Sequence, residues 1–247
     1  MPNLFDLKGK VALVTGGSRG LGRAIALGLA DHGADLIIVS RNADNCDAVA
    51  REVEARGRRA LALPAHMGRW EEIDPVVERA YARFGRVDIL VNNAGMSPAA
   101  PSSVETSEKL VDAVLSLNFK GPFRMSALIG TRMVEAGGGC IINIGSVGAV
   151  RPTPEIIPYA GAKAALNAMT IAHAQEFAPH VRVNAVLPGS FRTDVAQHWS
   201  ADKEAGTPAV LRRFGEPDEI VTTIIYLASD HSRFTTGALI RVDGGRP

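Results

Sequence analysis

The chain has 247 residues, of which 46% are hydrophobic and 21% charged, and its formal net charge is +1 at pH 7. This composition supports one large buried core and excludes an intrinsically disordered chain. The nearly balanced charge removes the electrostatic basis for nucleic acid or an anionic membrane as the main partner.

Cysteine content and hydropathy exclude further classes of protein. The two cysteines, Cys46 and Cys140, are too few for a disulfide framework or a thiolate metal site, so no metal is expected. No run approaches the roughly 18 apolar residues of a membrane span. Because the N-terminus also lacks the apolar stretch of a signal peptide, we expect a soluble cytoplasmic protein.

Short apolar runs alternate with longer helical patterns along the whole chain. Strands are predicted at 11–15, 36–40, 60–63, 88–91, 140–144, 181–186 and 238–242. Helices are predicted at 21–31, 43–56, 71–84, 107–117, 122–135, 159–177 and 217–228. Strands that are apolar on both faces and separated by helices indicate a parallel sheet covered on both sides. We therefore predict an α/β fold, a Rossmann-type doubly wound sheet in one domain spanning 1–247, with a substrate lid at about 190–214.

A glycine-rich turn follows the first predicted strand. Gly16, Gly20 and Gly22 have the spacing G-x-x-x-G-x-G, with Ser18, Arg19 and Leu21 between them. Glycines allow a tight turn in which backbone N–H groups approach a pyrophosphate at a helix N-terminus. The position after the first strand of a βαβ unit favours a phosphate site over a merely structural turn.

The end of the second predicted strand carries Ser40, Arg41 and Asn42. Dinucleotide folds usually place a carboxylate there to bind the adenosine ribose, but Asp35 stands at the opposite end of this strand. A basic residue in that place suits a ribose 2′-phosphate, which Arg19 could also reach. The alternative is a pair of solvated surface arginines.

Polar residues with a catalytic pattern lie in the second half of the chain. Tyr159 and Lys163 are spaced i, i+4 on a predicted helix and therefore share one face. A nearby ammonium would lower the pKa of the phenol, which suits proton transfer. Ser146 follows the fifth predicted strand at its carboxyl end, where open α/β sheets bind ligands. Asn118 interrupts an apolar helical pattern, which indicates either a break bridged by its amide or a plain structural residue.

Several motifs, by their order and spacing along essentially the whole chain, resemble those of the short-chain dehydrogenase/reductase family. The resemblance rests on the glycine turn, Asn92-Asn93-Ala94-Gly95, Asn118, Ser146, Tyr159-x-x-x-Lys163, and Pro188-Gly189 with Thr193. It implies hydride transfer between a nicotinamide and a carbonyl or alcohol carbon.

The same resemblance implies a role for each catalytic residue. Tyr159 would be the general acid/base, and Lys163 would hold the nicotinamide ribose and depress the tyrosine pKa. Ser146 would bond the substrate oxygen, and Asn118 would hold a water that relays protons through Lys163.

The implied cofactor contacts are spread over several loops. Pro188, Gly189, Phe191 and Thr193 would enclose the nicotinamide. The whole implied set is Gly16, Ser18, Arg19, Gly20, Leu21, Gly22, Ser40, Arg41, Asn42, His66, Met67, Asn92, Ala94, Gly95, Tyr159, Lys163, Pro188, Gly189, Phe191 and Thr193. One position departs from the family, since His66 stands where most relatives have an aspartate that meets the adenine. His66 either fills that role by another geometry or is an ordinary surface histidine.

The leading hypothesis is an NADP(H)-dependent reductase of ketones or aldehydes. A β-ketoacyl-thioester reductase acting on an acyl-carrier or CoA substrate shares every motif and is the alternative. A catalytically silent dinucleotide-binding regulator is the more remote alternative. The helix after Tyr159 has small and apolar residues on more than one face, which indicates burial beyond its own sheet. The resemblance implies that this burial is in a homotetramer, and extra packing within a monomer is the alternative.

Overall fold

The computed structural model of the chain describes residues 4–193, 206–207 and 209–246. Seven parallel strands form one sheet in the order β3-β2-β1-β4-β5-β6-β7. The strands are β1 (Val11–Thr15), β2 (Asp35–Ser40), β3 (Ala60–Pro64), β4 (Ile89–Asn92), β5 (Gly139–Ile144), β6 (Val181–Pro188) and β7 (Leu239–Val242). The predicted doubly wound parallel sheet is confirmed.

Helices cover both faces of the sheet, as the continuously apolar strands require. They are α1 (Gly20–Asp31), α2 (Ala43–Glu54), α3 (Trp70–Phe84), α4 (Glu108–Leu115), α5 (Gly121–Glu135), α6 (Ile157–Glu176) and α7 (Val221–Ala228). Apolar side chains of α1, α2 and α7 form the core on one face. Those of α3, α5 and α6 form the core on the other. Among the described residues, no helix is long and apolar enough to cross a membrane.

Two predicted boundaries differ from the structure for identifiable reasons. Strand β2 begins at Asp35, one residue earlier than predicted. A buried carboxylate is unexpected in a strand, but this one is bonded by Arg58 at 2.8 Å and by Arg59 at 2.7 Å. The predicted helix at 107–117 ends at Leu115 and continues as a wider π-helical turn over Ser116–Lys120, which leads directly into α5.

Buried amides tie the middle of the sheet to α5 and α6. Asn92 Nδ2 donates to Ser126 Oγ at 2.9 Å and to Asn143 Oδ1 at 2.8 Å. Asn143 Nδ2 donates in turn to Thr170 Oγ1 at 2.9 Å, and the Thr170 hydroxyl donates to the Leu166 carbonyl. Such a chain satisfies polar groups that would otherwise destabilise the core, and it holds β4, β5 and α6 in one register.

The strand order creates a crevice at one edge of the sheet. Strand β1 lies between β2 and β4. The chain adds β2 and β3 on one side of β1 and then crosses over to add β4 to β7 on the other side. Ligands of open α/β sheets bind outside the carboxyl ends of the strands at this switch point. The loops after β1 to β6 meet at this edge, and it is where the candidate site lies.

Candidate active site

The glycine turn after β1 is shaped by close contact with the loop after β4. Gly16 has φ +63°, and a Cβ added to it would lie 2.9 Å from Ala94 Cα. A Cβ on Gly22 would lie 2.1 Å from the Gly16 carbonyl oxygen. Both glycines are therefore required by backbone packing within the protein. Gly20, at φ +53°, meets no neighbour closer than 3.4 Å, and that neighbour is Thr193.

The N-terminus of α1 offers the donors that a pyrophosphate needs. Arg19 is the N-cap residue but makes no side-chain cap, and the first turn contains no acidic residue. The first N–H groups of the helix and its positive dipole end are thus left for an anion. Leu21 packs on the core below the turn. The residues present fit the phosphate-binding prediction.

The end of β2 lies directly beside this turn. The hydroxyl of Ser18 donates to Ser40 Oγ at 2.8 Å, which joins the two predicted cofactor segments. Arg41 is exposed and forms no ion pair with any described residue. Asn42 is the N-cap of α2, and its Oδ1 accepts from the Asn45 N–H at 2.9 Å. The side-chain oxygen of Asn42 is therefore used by the helix, whereas Arg41 is available to a ligand.

The loop after β3 continues the same edge. The Ala65 N–H donates to the Ser40 carbonyl at 2.9 Å. His66 is half-buried, and its Nδ1 accepts from the Gly68 N–H at 3.0 Å. Met67 is almost fully buried in the core, so the crevice is lined here by His66 and by backbone.

Asn93 is a residue of this edge that the sequence prediction missed. Its Nδ2 donates to the Thr15 and Gly16 carbonyls at 3.0 and 3.1 Å. Thr15 Oγ1 accepts from the N–H groups of Asn93 and Ala94 at 3.0 and 3.1 Å. The paired asparagines at a strand end were the available signal, because successive residues of a strand point to opposite faces.

Asn92 has a structural role inside the core. Its side chain is 1% exposed and bonds to Ser126 and Asn143 inside the core. The side-chain amide of Asn92 therefore stabilises the sheet, and the predicted cofactor contact of Asn92 is left to its backbone.

Asn118 lies in the π-helical turn, where it bridges the break in the helix. Its Nδ2 donates to the Val114 carbonyl at 2.9 Å and to the Met96 carbonyl at 3.0 Å, and its Oδ1 accepts from the Met96 N–H at 3.3 Å. A Cβ on Gly95 would lie 2.8 Å from this Oδ1 and 3.6 Å from Lys163 Nζ. Asn118 thus fastens the β4 loop beside the lysine.

Ser146, Tyr159 and Lys163 converge at the end of β5. Ser146 Oγ accepts from the Gly148 N–H at 2.9 Å. A Cβ on Gly148 would lie 3.2 Å from Ser146 Oγ and 3.7 Å from Tyr159 Cε1, so the serine and the tyrosine flank the same glycine. Lys163 Nζ donates to the Ile144 carbonyl at 2.7 Å and lies 5.9 Å from the Tyr159 ring centroid.

Burial sets the protonation of this cluster and corrects one expectation. Burial raises the pKa of Tyr159 above its ordinary value, and a hydrogen bond with Ser146 opposes the shift. Burial also lowers the pKa of Lys163 to about 8. The predicted depression of the tyrosine pKa by Lys163 is therefore not present here. The lysine ammonium donates to the Ile144 carbonyl, and burial is the largest cause of the shift in the tyrosine pKa.

The loop after β6 closes the other end of the crevice. Pro188 is buried, and the Gly189 N–H donates to the Val242 carbonyl at 2.9 Å. Phe191 is 6% exposed and packs on the α1 side of the sheet, with its backbone bridged to Gly215. Thr193 lies over Gly20, which joins this loop to the glycine turn.

The stems of the predicted lid are held together. The Gly215 N–H donates to the Ser190 carbonyl at 2.9 Å, and the Arg192 N–H donates to the Gly215 carbonyl at 2.8 Å. Residues 194–205 and 208 of the predicted lid lie outside the described residues.

The buried lysine predicts a pH-dependent stability. Between pH 8 and the ordinary lysine pKa, the unfolded chain binds more protons at this site than the folded one, so stability rises with pH. Relative to Lys163→Met, the wild-type free energy of unfolding should rise by on the order of 2 kcal/mol from about pH 7 to 9.5 in urea titrations. Lys109→Met, on an exposed lysine of α4, is the control. A difference between wild type and Lys163→Met that stays constant with pH would show that the lysine is not desolvated.

Comparisons with known proteins agree with this geometry. Residues 10–204 match the family model described as short chain dehydrogenase. The chain is 39% identical to 2-dehydro-3-deoxy-D-gluconate 5-dehydrogenase of Dickeya dadantii, covering 98% of this chain and 97% of that protein. It is 36% identical to the 3-oxoacyl-acyl-carrier-protein reductase of Thermotoga maritima, covering 97% and 98%. The crystal structure of a short-chain type dehydrogenase/reductase from Mycobacterium marinum superposes with a TM-score of 0.92 at 32% identity, covering 99% and 98%. The chain therefore belongs to the short-chain dehydrogenase family, whose members are oxidoreductases that act on CH–OH and C=O groups with a nicotinamide cofactor.

Proposed function

We propose that the protein is an NADP(H)-dependent reductase of ketones or aldehydes, which also runs in the direction of secondary alcohol oxidation. The observation that carries the proposal is the convergence of Ser146, Tyr159 and Lys163 at the carboxyl end of β5, beside a helix N-terminus built for a pyrophosphate. A proton donor and a hydride carrier can then meet at one substrate carbon.

Tyr159 is the group that exchanges a proton with the substrate oxygen. Its raised pKa keeps the phenol protonated at neutral pH, the state that a proton donor needs in reduction. The Ser146 oxygen accepts from the Gly148 N–H, so its own hydrogen can turn to the same substrate oxygen. Bound nicotinamide supplies or receives the hydride.

Lys163 takes part in proton transfer and binds the cofactor. Among the described residues, its ammonium donates one hydrogen bond, to the Ile144 carbonyl, which leaves two hydrogens for the nicotinamide ribose. With a pKa of about 8, it gives up and regains a proton near neutral pH, so it can resupply Tyr159. Asn118, whose amide holds Val114 and Met96, positions the turn through which a water links the lysine to solvent.

Removing the phenol hydroxyl tests this mechanism. Tyr159→Phe should lower kcat by ~10²–10⁴-fold, because a positioned proton donor is lost, while the dissociation constant for NADPH stays within about threefold. NADPH oxidation against a panel of diketones, quinones and acetoacetyl thioesters is the assay. Tyr226→Phe, a tyrosine of α7 bonded to Thr235, is the control. Equal turnover in Tyr159→Phe and wild type would remove Tyr159 from the mechanism.

The assay panel also separates the alternatives. The 36% sequence identity to a 3-oxoacyl-acyl-carrier-protein reductase supports a thioester substrate. The ion pairs in the stems of the lid argue against binding of an acidic carrier there, because Arg192 pairs with Glu216 and Arg213 pairs with Glu219. Activity on acetoacetyl thioesters well above that on free ketones would favour the thioester reductase, and inactivity on every carbonyl would favour the silent regulator.

The preference for NADP(H) rests on the end of β2. No carboxylate stands there, and the exposed Arg41 lies beside Ser40 and the hydroxyl of Ser18. A guanidinium forms charge-assisted bonds with a 2′-phosphate, whereas a carboxylate would repel it. Because this arginine is exposed, salt screens its attraction to the phosphate. The gain in binding free energy is therefore at the lower end of the range for a hydrogen bond to a charged group.

Changing this end of β2 should change the cofactor. We expect kcat/KM for NADPH to exceed that for NADH by at least about tenfold, since a hydrogen bond to a charged group contributes ~1.5–3 kcal/mol. Arg41→Ala should abolish most of this preference, and Ser40→Asp should shift it further toward NADH. Arg51→Ala, on α2, removes an equal charge away from the site. A clear preference of the wild type for NADH would falsify the assignment.

We also propose that the chain assembles as a homotetramer in which the outer surface of α5 and α6 forms one of the interfaces. Phe123 on α5 is 41% exposed and Ile171 on α6 is 42% exposed. Ala164, Ala168 and Ala172 are exposed on the same helix as Ile171. An apolar surface of this kind on a helix pair favours association. Light scattering should give about four times 26.1 kDa at micromolar concentration, and a 26.1 kDa species alone would contradict the proposal.

A further inference from the structure

We propose that the outer surface of α5 and α6 contains a pH-sensitive switch, in which protonation of His173 displaces Phe123 and separates the subunits in acid. The inference rests on the proposed homotetramer and adds a condition under which it forms. It concerns a titratable side chain that the proposed reaction does not use.

A row of stacked rings runs from the surface of α5 into the core. His173 lies between two phenyl rings, with its centroid 5.8 Å from that of Phe123 and 5.0 Å from that of Phe177. On its outer side, Phe123 stacks on Trp70 at a centroid distance of 6.3 Å. Trp70 is 46% exposed and Phe123 is 41% exposed, whereas His173 is 4% exposed. The imidazole is therefore a titratable group directly below an apolar surface, and Phe123 covers it.

The covered imidazole is poorly provided with hydrogen bonds. Its Nδ1 is buried and has no hydrogen-bond partner among the described residues. Its Nε2 lies 3.8 Å from a carboxylate oxygen of Glu176, beyond hydrogen-bond distance. An imidazolium has two N–H donors, and both would have to be satisfied. Burial accordingly lowers the pKa of His173, and the charge of Glu176 opposes this shift.

Glu176 is the one charged side chain, among the described residues, that acts on the pKa of His173. The other ionisable side chains on the elements packed against this part of α6 have partners elsewhere or are exposed to solvent: Lys120, Arg124, Arg132 and Glu135 on or just before α5, Arg182 on β6, and His180 in the turn between α6 and β6. The Glu176 side chain is itself 64% exposed, so solvent screens its attraction to a proton on the ring. A charged imidazole is therefore weakly compensated while the rings stay closed.

The two rings that cover His173 differ in their freedom to move. Phe177 is 4% exposed and belongs to the core, and a Cβ on Gly130 would lie 2.5 Å from its ring. Phe123 lies at the surface of α5, against the exposed Trp70. Because the core is close-packed, displacing Phe177 would disturb many neighbours. Water therefore reaches the imidazole at a lower cost by the displacement of Phe123.

Displacement of Phe123 connects protonation to assembly. Phe123 and Ile171 are the exposed large apolar side chains of the surface through which the subunits are proposed to meet. The closed arrangement binds the proton more weakly than an open one, so a fall in pH below the ordinary histidine pKa favours opening. Acid therefore weakens the contact between subunits, whereas neutral pH keeps Phe123 in place.

Light scattering of the full chain between about pH 7.5 and 5 tests the switch. We expect the dissociation constant between subunits to rise by at least about tenfold over this range, because each unit by which assembly lowers a histidine pKa changes association tenfold. Far-UV circular dichroism at each pH separates dissociation from unfolding. Assembly that is equally tight at both pH values overturns the inference, and this result needs no variant to fold.

Two variants and a control identify the histidine. His173→Leu cannot be protonated, so its assembly should be independent of pH over that range. Glu176→Gln removes the opposing anion at an exposed position and should move the transition to lower pH by roughly 0.2–0.4 units, the value of one i, i+3 charge pair on a helix. His180→Gln, in the exposed turn after α6, should behave as the wild type does.

The outcomes separate the switch from the proposals on which it rests. A transition that His173→Leu or Glu176→Gln leaves unchanged assigns the pH dependence to another group and overturns the inference. A tetramer that does not respond to pH refutes the switch alone. A 26.1 kDa species at every pH refutes the homotetramer and the switch with it. NADPH oxidation at neutral pH reports separately on the proposed reaction.

Discussion

The candidate site depends on the attachment of the β4 loop to the glycine turn after β1. The attachment consists of hydrogen bonds from Asn93 to the carbonyls of Thr15 and Gly16, and from the N–H groups of Asn93 and Ala94 to the Thr15 hydroxyl. A side chain on Gly16 or Gly22 would push the two segments apart. The glycine turn and the loop that reaches Asn118 and Lys163 are therefore placed relative to each other by these hydrogen bonds, together with the pairing of β1 with β4.

The cluster of Ser146, Tyr159 and Lys163 is built at a cost in stability. Lys163 is 3% exposed and, within the part of the chain that the structure describes, has one hydrogen bond to the protein, so its charge is poorly compensated there. Burial raises the pKa of the phenol and lowers that of the amine, which brings the protonated phenol and a readily titrating amine into one place. Such perturbed groups are typical of functional sites, where stability is exchanged for chemistry.

Asparagine performs three different structural tasks around this cluster. Asn92 and Asn143 link strands to helices inside the core, Asn93 ties two loops, and Asn118 closes a widened helical turn. An amide suits each task, because it donates and accepts without a charge that would have to be desolvated. The asparagine side chains that fix the strands and loops around the crevice are thus neutral.

The amino-acid sequence by itself determined the strands, the helices and their parallel arrangement, since these follow from local hydrophobic patterns. It also determined the spacing of Tyr159 and Lys163, which a helix converts directly into a shared face. Tertiary structure alone decided which asparagine of Asn92-Asn93 enters the core and which faces the crevice, because that depends on where β4 ends. It decided the protonation of Tyr159 and Lys163 as well, because burial depends on segments far apart in the chain.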